Sequence, residues 1–184
     1  MNLTKTTEAL EKFGKYVVQQ SKSILTKQKK GGGSLYNSIK QELDEEQNAF
    51  LLDFMMESYG EFVDKGVKGK NPNALPRNAK WYGIQKGKNS PYKFGSMKSR
   101  GLRKAINKWT VTKNIKGIRD KKTGRFLPRK TTQFLITRSI YLAGITPSMF
   151  FTKPFEKAFK NLPTEVINAF ALDVEKSIVL GIKK

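Results

Sequence analysis

The chain has 184 residues, with 36 Lys and Arg against 15 Asp and Glu, a formal net charge of +21, and neither cysteine nor histidine. The lack of cysteine excludes disulfides and thiolate metal sites, and the lack of histidine excludes Ser-His and Cys-His catalysis and His-ligated zinc or iron. The length predicts one ordinary domain. No apolar run approaches the ~18 residues of a membrane-spanning helix, and the first residues lack the apolar core of a signal peptide. We expect no cofactor, no metal and no membrane partner, and a protein made in the cytoplasm.

The positive charge is confined to one segment, residues 65–130, named here the basic block. It holds 21 Lys and Arg and a single acid, Asp120, so its net charge is +20 and the rest of the chain is nearly neutral. Charge of this density favours polyanions such as nucleic acid, an anionic membrane face or an acidic protein surface. A solvated basic surface without a partner is the alternative, which the confinement of the charge disfavours.

The first predicted element is an amphipathic helix over residues 3–29, since apolar side chains recur there at helical spacing. Thr6 or Thr7 is the expected cap, because a hydroxyl at that position accepts hydrogen bonds from free backbone N–H groups. Three consecutive glycines, residues 31–33, end the helix. Residues 34–43 then predict a short turn of helix that leads into a strand.

A β-hairpin follows, because residues 44–48 form a polar turn and the strand predicted over residues 49–56 has two distinct faces. Residues 58–66 predict a short helix or bend that is closed by Gly66. The strand face expected against the core carries Phe50, Leu52, Phe54 and Met56.

Acidic side chains are dense in one stretch before the basic block. Glu57, Glu61 and Asp64 have a spacing that could bind a divalent ion, but a solvated helix face also explains them. A metal-dependent nuclease needs two or three converging carboxylates with a lysine, and Asp44 and Asp53 complete the candidate set. Turn, strand-face and helix-face positions account for all five acids without catalysis, so we expect no enzyme activity.

The basic block and the residues just after it predict loops, two helices and a second hairpin. One helix is expected within residues 99–113, the hairpin over residues 118–126, and the other helix over residues 131–145. Thr131 or Thr132 is the expected cap of the latter helix.

The last predicted helix begins near Pro163, a residue favoured in the first turn of helices. Phe151 and Phe155 should anchor this helix, and its apolar stripe, like that of the first helix, should cover the sheet. The stripe consists of Val166, Ile167, Phe170, Val174 and Ile178, with Ile182 as a further candidate.

Three short motifs on either side of the basic block resemble the tail-completion (neck) family of tailed bacteriophages. The motifs are L-x-x-S-I at Leu35, Ser38 and Ile39, Y-x-x-F-V-x-x-G at Tyr59, Phe62, Val63 and Gly66, and F-F-x-x-P-F-x-x-A at Phe150, Phe151, Pro154, Phe155 and Ala158. The match covers about 100 residues in two pieces. This chain departs from the family in having Gly33-Ser34 for Thr-Gly, Gly66-Val67 for Gly-Thr, and some 80 residues in place of a short loop.

The resemblance implies an α+β fold, with a small antiparallel sheet of about four strands covered by long N- and C-terminal helices. Residues 1–66 would form the helix and hairpin of a core domain, residues 67–147 a basic, loop-rich insertion, and residues 148–184 the C-terminal part of the same core. It implies a structural virion protein that forms a homo-oligomeric ring, commonly of six copies with twelve as the alternative. Such a ring joins the head connector to the tail in the virion neck, is assembled in the host cytoplasm and performs no chemistry.

We expect the insertion to contact packaged DNA or acidic surfaces of neighbouring connector and tail proteins. The alternative is a non-specific nucleic-acid-binding protein, because Trp81, Tyr82 and Trp109 interleave with cations as in proteins that stack bases. The candidate contact residues are Lys80, Lys86, Lys88, Lys93, Lys98, Arg100, Arg103, Lys104, Lys108, Arg119, Lys121, Lys122, Arg125, Arg129 and Lys130.

Overall fold

Helices account for most of the structure, a computed structural model that describes residues 3–46, 49–97, 100–115 and 117–182. It is 53% helix and 11% strand with long N- and C-terminal helices, which confirms the predicted α+β class. In chain order the helices are α1 (Thr4–Lys27), α2 (Ser34–Ser38), α3 (Gly60–Lys65), α4 (Arg100–Thr112), α5 (Arg129–Ala143), α6 (Thr152–Phe159) and α7 (Leu162–Ile182). The strands are β1 (Lys40–Glu45), β2 (Phe50–Met55), β3 (Val67–Lys68) and β4 (Gly144–Ile145).

The chain divides into two compact units. Unit 1 comprises Met1–Gly60 and Met149–Lys184, and unit 2 comprises Glu61–Ser148. The sequence-predicted insertion, residues 67–147, lies within the limits of unit 2. Unit 1 holds 14 Lys and Arg against 12 Asp and Glu, whereas unit 2 holds 22 against 3. Nearly all of the net charge therefore belongs to unit 2.

The interior of unit 1 forms around α1, whose buried side chains repeat at every fourth position. Phe13, Val17, Ser21 and Leu25 are each at most 6% exposed, and α1 contacts the β1–β2 hairpin, α6 and α7. Phe13 packs edge to face on Phe155 with ring centroids 5.7 Å apart. Burial of each large apolar side chain contributes roughly 1.5–3 kcal/mol, so this face holds unit 1 together and confirms the predicted amphipathic helix.

The β1–β2 hairpin has the predicted inner face. The two strands are antiparallel, with Lys40 opposite Met55 and Glu45 opposite Phe50. Along β2, half-buried residues alternate with exposed ones, and the half-buried set includes Leu52. Of the predicted polar turn, residues 47–48 lie outside the described residues.

The four described strands form two separate pairs, which corrects the expected single sheet of about four strands. β3 pairs with β4, with Val67 opposite Ile145. Gly66 (φ 71°) and Gly144 (φ 96°) adopt backbone angles that favour glycine. A Cβ atom on Gly144 would lie 2.5 Å from the Val67 carbonyl oxygen. These glycines allow the close approach of β3 and β4 within unit 2.

The N-terminus of α1 is capped from α7, so the expectation that Thr6 or Thr7 caps it is wrong. Leu3 is the N-cap residue and makes no side-chain capping bond. Asp173 instead accepts hydrogen bonds from Lys5 N–H (3.0 Å), Thr6 N–H (2.9 Å) and Thr6 Oγ1 (2.9 Å). Burial alone would raise the pKa of Asp173, but these hydrogen bonds hold that pKa below its ordinary value. A carboxylate from another helix thus replaces the expected local hydroxyl.

The same contact sets the rotation of α7 and corrects the expected burial of its apolar stripe. Asp173 is 2% exposed and bonds to α1, so the face of α7 that carries Asp173 packs inward. Ile167, Phe170 and Ile178 are 66%, 46% and 56% exposed, whereas the two valines of the stripe are half-buried. The side chain of Ile182 lies outside those that the structure describes. Most of the stripe therefore does not cover the sheet.

Unit 2 has a small interior of its own. Leu75, Leu142 and Ala143 are buried together, and Trp81 packs against them. Helices α4 and α5 pack on each other, and Ile106 of α4 is buried. The predicted helix within residues 99–113 is confirmed as α4.

Helix α5 begins two residues earlier than predicted, and neither expected threonine caps it. Pro128 is the N-cap residue, and its carbonyl accepts the N–H groups of Thr131 (2.9 Å) and Thr132 (3.1 Å). Proline fixes its own φ near the helical value, which favours an early start. Thr131 and Thr132 therefore lie inside the first turn, where Thr132 is buried.

Candidate polyanion-contact surface

The predicted contact residues lie on several elements of unit 2, and most of their side chains are exposed. Lys86 is half-buried, Lys98 lies outside the described residues, and only the backbone of Arg100 is described. Salt bridges join Lys5 to Glu8 and Lys15 to Glu11 in α1 of unit 1. The exposed contact residues are Lys80, Lys88, Lys93, Arg103, Lys104, Lys108, Arg119, Lys121, Lys122, Arg125, Arg129 and Lys130.

One group of these cations lies on residues 118–126, named here the cationic hairpin. Arg119 and Phe126 form an antiparallel bridge, and Asp120 N–H donates to the Arg125 carbonyl at 2.8 Å. The predicted hairpin is thereby confirmed. Its exposed cations are Arg119, Lys121, Lys122 and Arg125.

Asp120 organises the turn of the cationic hairpin. Its Oδ1 accepts hydrogen bonds from Thr123 N–H (2.8 Å), Thr123 Oγ1 (3.0 Å) and Lys122 N–H (2.9 Å). These bonds, those from Thr123 above all, hold the pKa of Asp120 below its ordinary value. The Asp120 carbonyl also accepts Gly124 N–H at 2.9 Å, and Gly124 has a φ of 68°. The single acid of the basic block is therefore bonded by its own turn.

An arginine and an aromatic ring lie together at the base of this hairpin. The Arg119 guanidinium carbon is 4.6 Å from the centre of the Phe126 ring, a cation–π contact. Phe126 is nonetheless 58% exposed. The hairpin thus presents an apolar ring beside its cations, a combination that nucleic-acid-binding proteins use for stacking or wedging.

A second group of cations lies on α4 and the start of α5. Asn107 Oδ1 accepts hydrogen bonds from Arg129 Nη2 (3.2 Å) and Gln133 Nε2 (2.5 Å). Arg129 is thereby held against α4 and adds its charge to those of that helix. The exposed cations of α4 are Arg103, Lys104 and Lys108.

A third group surrounds Trp81. The Nζ atoms of Lys86 and Lys80 lie 3.4 Å and 4.9 Å from the centre of its rings. Burial, and then the charge of Lys80, lowers the pKa of Lys86. The half-buried Lys86 is engaged by Trp81, which leaves Lys80 as the more accessible cation of this group.

Two residues that position the cations, Asn107 and Asp120, were not predicted as functional. For Asp120 a local signal exists, because an aspartate shortly before a threonine–glycine pair is typical of a side-chain-stabilised turn. Asn107 carries no such signal, since its partners lie on α5, 22 and 26 residues further along the chain.

Among the described residues, no group of three or more acidic side chains is placed to hold a metal ion. Within the same part of the chain, no helix has both the length and the apolar character needed to cross a membrane.

Comparisons of the chain with family models, with curated proteins and with solved structures gave no match. The resemblance to the tail-completion family therefore stays a prediction from the three motifs. The structure contributes a unit with 22 Lys and Arg against 3 acids, in which most of the predicted contact residues are exposed on loops, a hairpin and a helix pair.

Proposed function

We propose that the chain is a structural virion protein of a phage neck, which forms a ring between the head connector and the tail and performs no chemistry. In this proposal unit 2 contacts packaged DNA or acidic surfaces of neighbouring proteins. The observation that carries the proposal is the unequal division of charge, with a net +19 on unit 2 and +2 on unit 1. Such a division suits a scaffold that presents one cationic surface to a polyanion.

The positive charge of unit 2 would oppose the assembly of several copies into a ring. A ring of six copies would gather on the order of 100 positive charges, which repel one another unless an anionic partner lies among them. The exposed cations of the hairpin and of α4 are placed to meet such a partner. Contacts to phosphates alone would be non-specific in sequence and would weaken steeply with salt.

Unit 1 supports the self-association that a ring requires. An apolar strip runs along α7 beside Glu175 and consists of Phe170, Ala171, Val174 and Ile178, and Ile167, one turn earlier, is 66% exposed. Contiguous exposed apolar side chains with polar neighbours are typical of interaction sites. We assign this face to a second copy of the chain, because unit 1 is nearly neutral and copies of it can approach without strong repulsion.

The test is the assembly state of the purified chain. Sedimentation velocity and negative-stain electron microscopy are carried out with and without a DNA duplex. The proposal expects rings with a central hole, formed by the chain alone or once DNA offsets the repulsion. A chain that stays monomeric at every concentration, with and without DNA, contradicts it.

A second function, non-specific nucleic-acid binding without a ring, is favoured by one observation. Exposed aromatic side chains accompany the cations of unit 2, among them Tyr82 (38%), Trp109 (45%) and Phe126 (58%). Rings of this kind stack on unpaired bases. A monomer that binds single strands more tightly than duplexes and never assembles would support this function over the neck protein.

A further inference from the structure

We infer that the cationic hairpin is a preformed contact for the phosphate backbone of duplex DNA, and that Asp120 is the residue that positions it. The inference rests on the proposed function and narrows its polyanion to DNA. It adds a role for an acid within a surface that is otherwise selected for positive charge.

The backbone of the hairpin is ordered before any partner binds. Its arms are joined by the Arg119–Phe126 bridge, and its turn is fixed by three hydrogen bonds to one carboxylate oxygen of Asp120. Free lysine and arginine side chains lose conformational entropy on binding. A turn whose backbone is already ordered avoids the further loss that a disordered loop would suffer.

The second step is the position of the charges. Arg119 lies on one arm and Arg125 on the other, with Lys121 and Lys122 in the turn between them, so exposed cations are distributed over both arms and the turn. Duplex DNA carries one phosphate per ~1.7 Å of its axis, and a two-stranded ribbon fits its major groove, which is about 12 Å wide. Cations on both arms can therefore meet phosphates on both sides of a groove.

The third step is the chemistry of Phe126. Its ring is 58% exposed beside Arg119, and a nucleic acid offers sugar and base surface next to each phosphate. An acidic protein surface offers carboxylates without such a regular apolar neighbour. The pairing of ring and guanidinium therefore favours DNA over an acidic protein.

Asp120 carries a negative charge among the cations of the hairpin, and this charge needs an explanation. A carboxylate amid cations reduces the attraction of the hairpin for phosphate, so a surface selected only for charge would lack it. Its hydrogen bonds to Lys122 N–H and to Thr123 supply the reason, because they hold the backbone that carries the flanking cations in one conformation.

Two substitutions separate the charge of Asp120 from its role in the turn. Asp120→Asn and Asp120→Ala both remove one negative charge and so raise the net charge of the chain by one. Only asparagine keeps a side-chain oxygen that accepts the same backbone hydrogen bonds. Binding of a short DNA duplex by the full chain is measured by fluorescence anisotropy across a salt series.

We expect Asp120→Asn to bind at least as tightly as the wild type. Asp120→Ala should bind about tenfold more weakly than Asp120→Asn, with a salt dependence shallower by about 1–2 units of log K per log salt, as expected when one or two phosphate contacts are lost. Amide exchange at Lys122 and Thr123 should rise in Asp120→Ala only. Thermal melts of the two variants should coincide, because the hairpin is exposed.

Three results would each overturn part of this inference. Equal affinity and equal salt dependence for the two variants overturns the positioning role and leaves the proposed function intact. Displacement of DNA by polyglutamate at equal charge concentration overturns the choice of DNA in favour of an acidic protein. A wild-type chain that does not bind the duplex at low salt overturns the inference and the DNA contact of the proposed function together, while ring formation still tests the neck assembly.

Discussion

The exposed apolar face of α7 gives the most detailed prediction, which concerns self-association. Ile167 is 66% exposed, so replacing it should leave the fold of unit 1 nearly unchanged. If this face meets a second copy, Ile167→Asp puts a charge where an apolar side chain should be buried. The variant should therefore fold as the wild type does and associate more weakly.

The expected loss in the association constant follows from the area that Ile167 exposes in the single chain. Full burial of an isoleucine side chain contributes roughly 1.5–3 kcal/mol. About two thirds of Ile167 remains exposed, so association would gain about 1–2 kcal/mol from each copy of the residue. At ~1.4 kcal/mol per tenfold, the loss is about 5- to 30-fold in the association constant. Burial of the new carboxylate adds to this loss.

Sedimentation equilibrium across a concentration series, run both without DNA and with a fixed amount of a DNA duplex, measures that constant. Val111→Asp is the matched control, since Val111 is 56% exposed on a helix of unit 2 and the change in charge is the same. Val111→Asp should associate as the wild type does. An association constant for Ile167→Asp that equals that of the control refutes the assignment of the α7 face to a second copy.

Two further predictions concern the stability of unit 1. Phe150 is fully buried, so Phe150→Ala should lower the free energy of unfolding by about 3–5 kcal/mol. Phe159→Ala, at a ring that is 49% exposed and stacked on Phe155, should lower it by only about 1–1.5 kcal/mol, and urea denaturation that finds equal losses contradicts the packing. Because the folded pKa of Asp173 is depressed, its stabilisation is present above the unfolded pKa of about 3.9 and is lost as the pH falls through the folded value. Calorimetry should show Asp173→Ala melting below the wild type at neutral pH, with a gap that narrows below about pH 4; a gap that does not change with pH refutes this role.

The local elements of unit 1 could be predicted because their signals lie within a few residues. The burial of Phe13 and Val17 follows from helical spacing, and the inward face of β2 follows from its alternation. The rotation of α7 could not be predicted in this way. It depends on Asp173 reaching backbone groups 167 and 168 residues away, and no periodicity within α7 contains that partner.

The contact surface shows the same division between local and distant causes. Exposure of the cations follows from charge density alone, since unit 2 holds only three acids against which they could pair. The hairpin followed from its local sequence. The hydrogen bond between Arg129 and Asn107 depends on how α4 packs on α5. This packing is a tertiary property, and the sequence of neither helix predicts it.

The claim on which the account depends is that unit 2, and not the net charge of the chain, binds the polyanion. The direct measurement is the salt dependence of duplex DNA binding for two variants that each lose three positive charges. The unit 2 variant carries Arg103→Gln, Lys104→Gln and Lys108→Gln, and the unit 1 control carries Lys12→Gln, Lys27→Gln and Lys157→Gln, all at exposed positions. The account predicts that the slope of log K against log salt becomes shallower by about 2–3 in the unit 2 variant and stays at the wild-type value in the control. Equal losses in the two variants would contradict it.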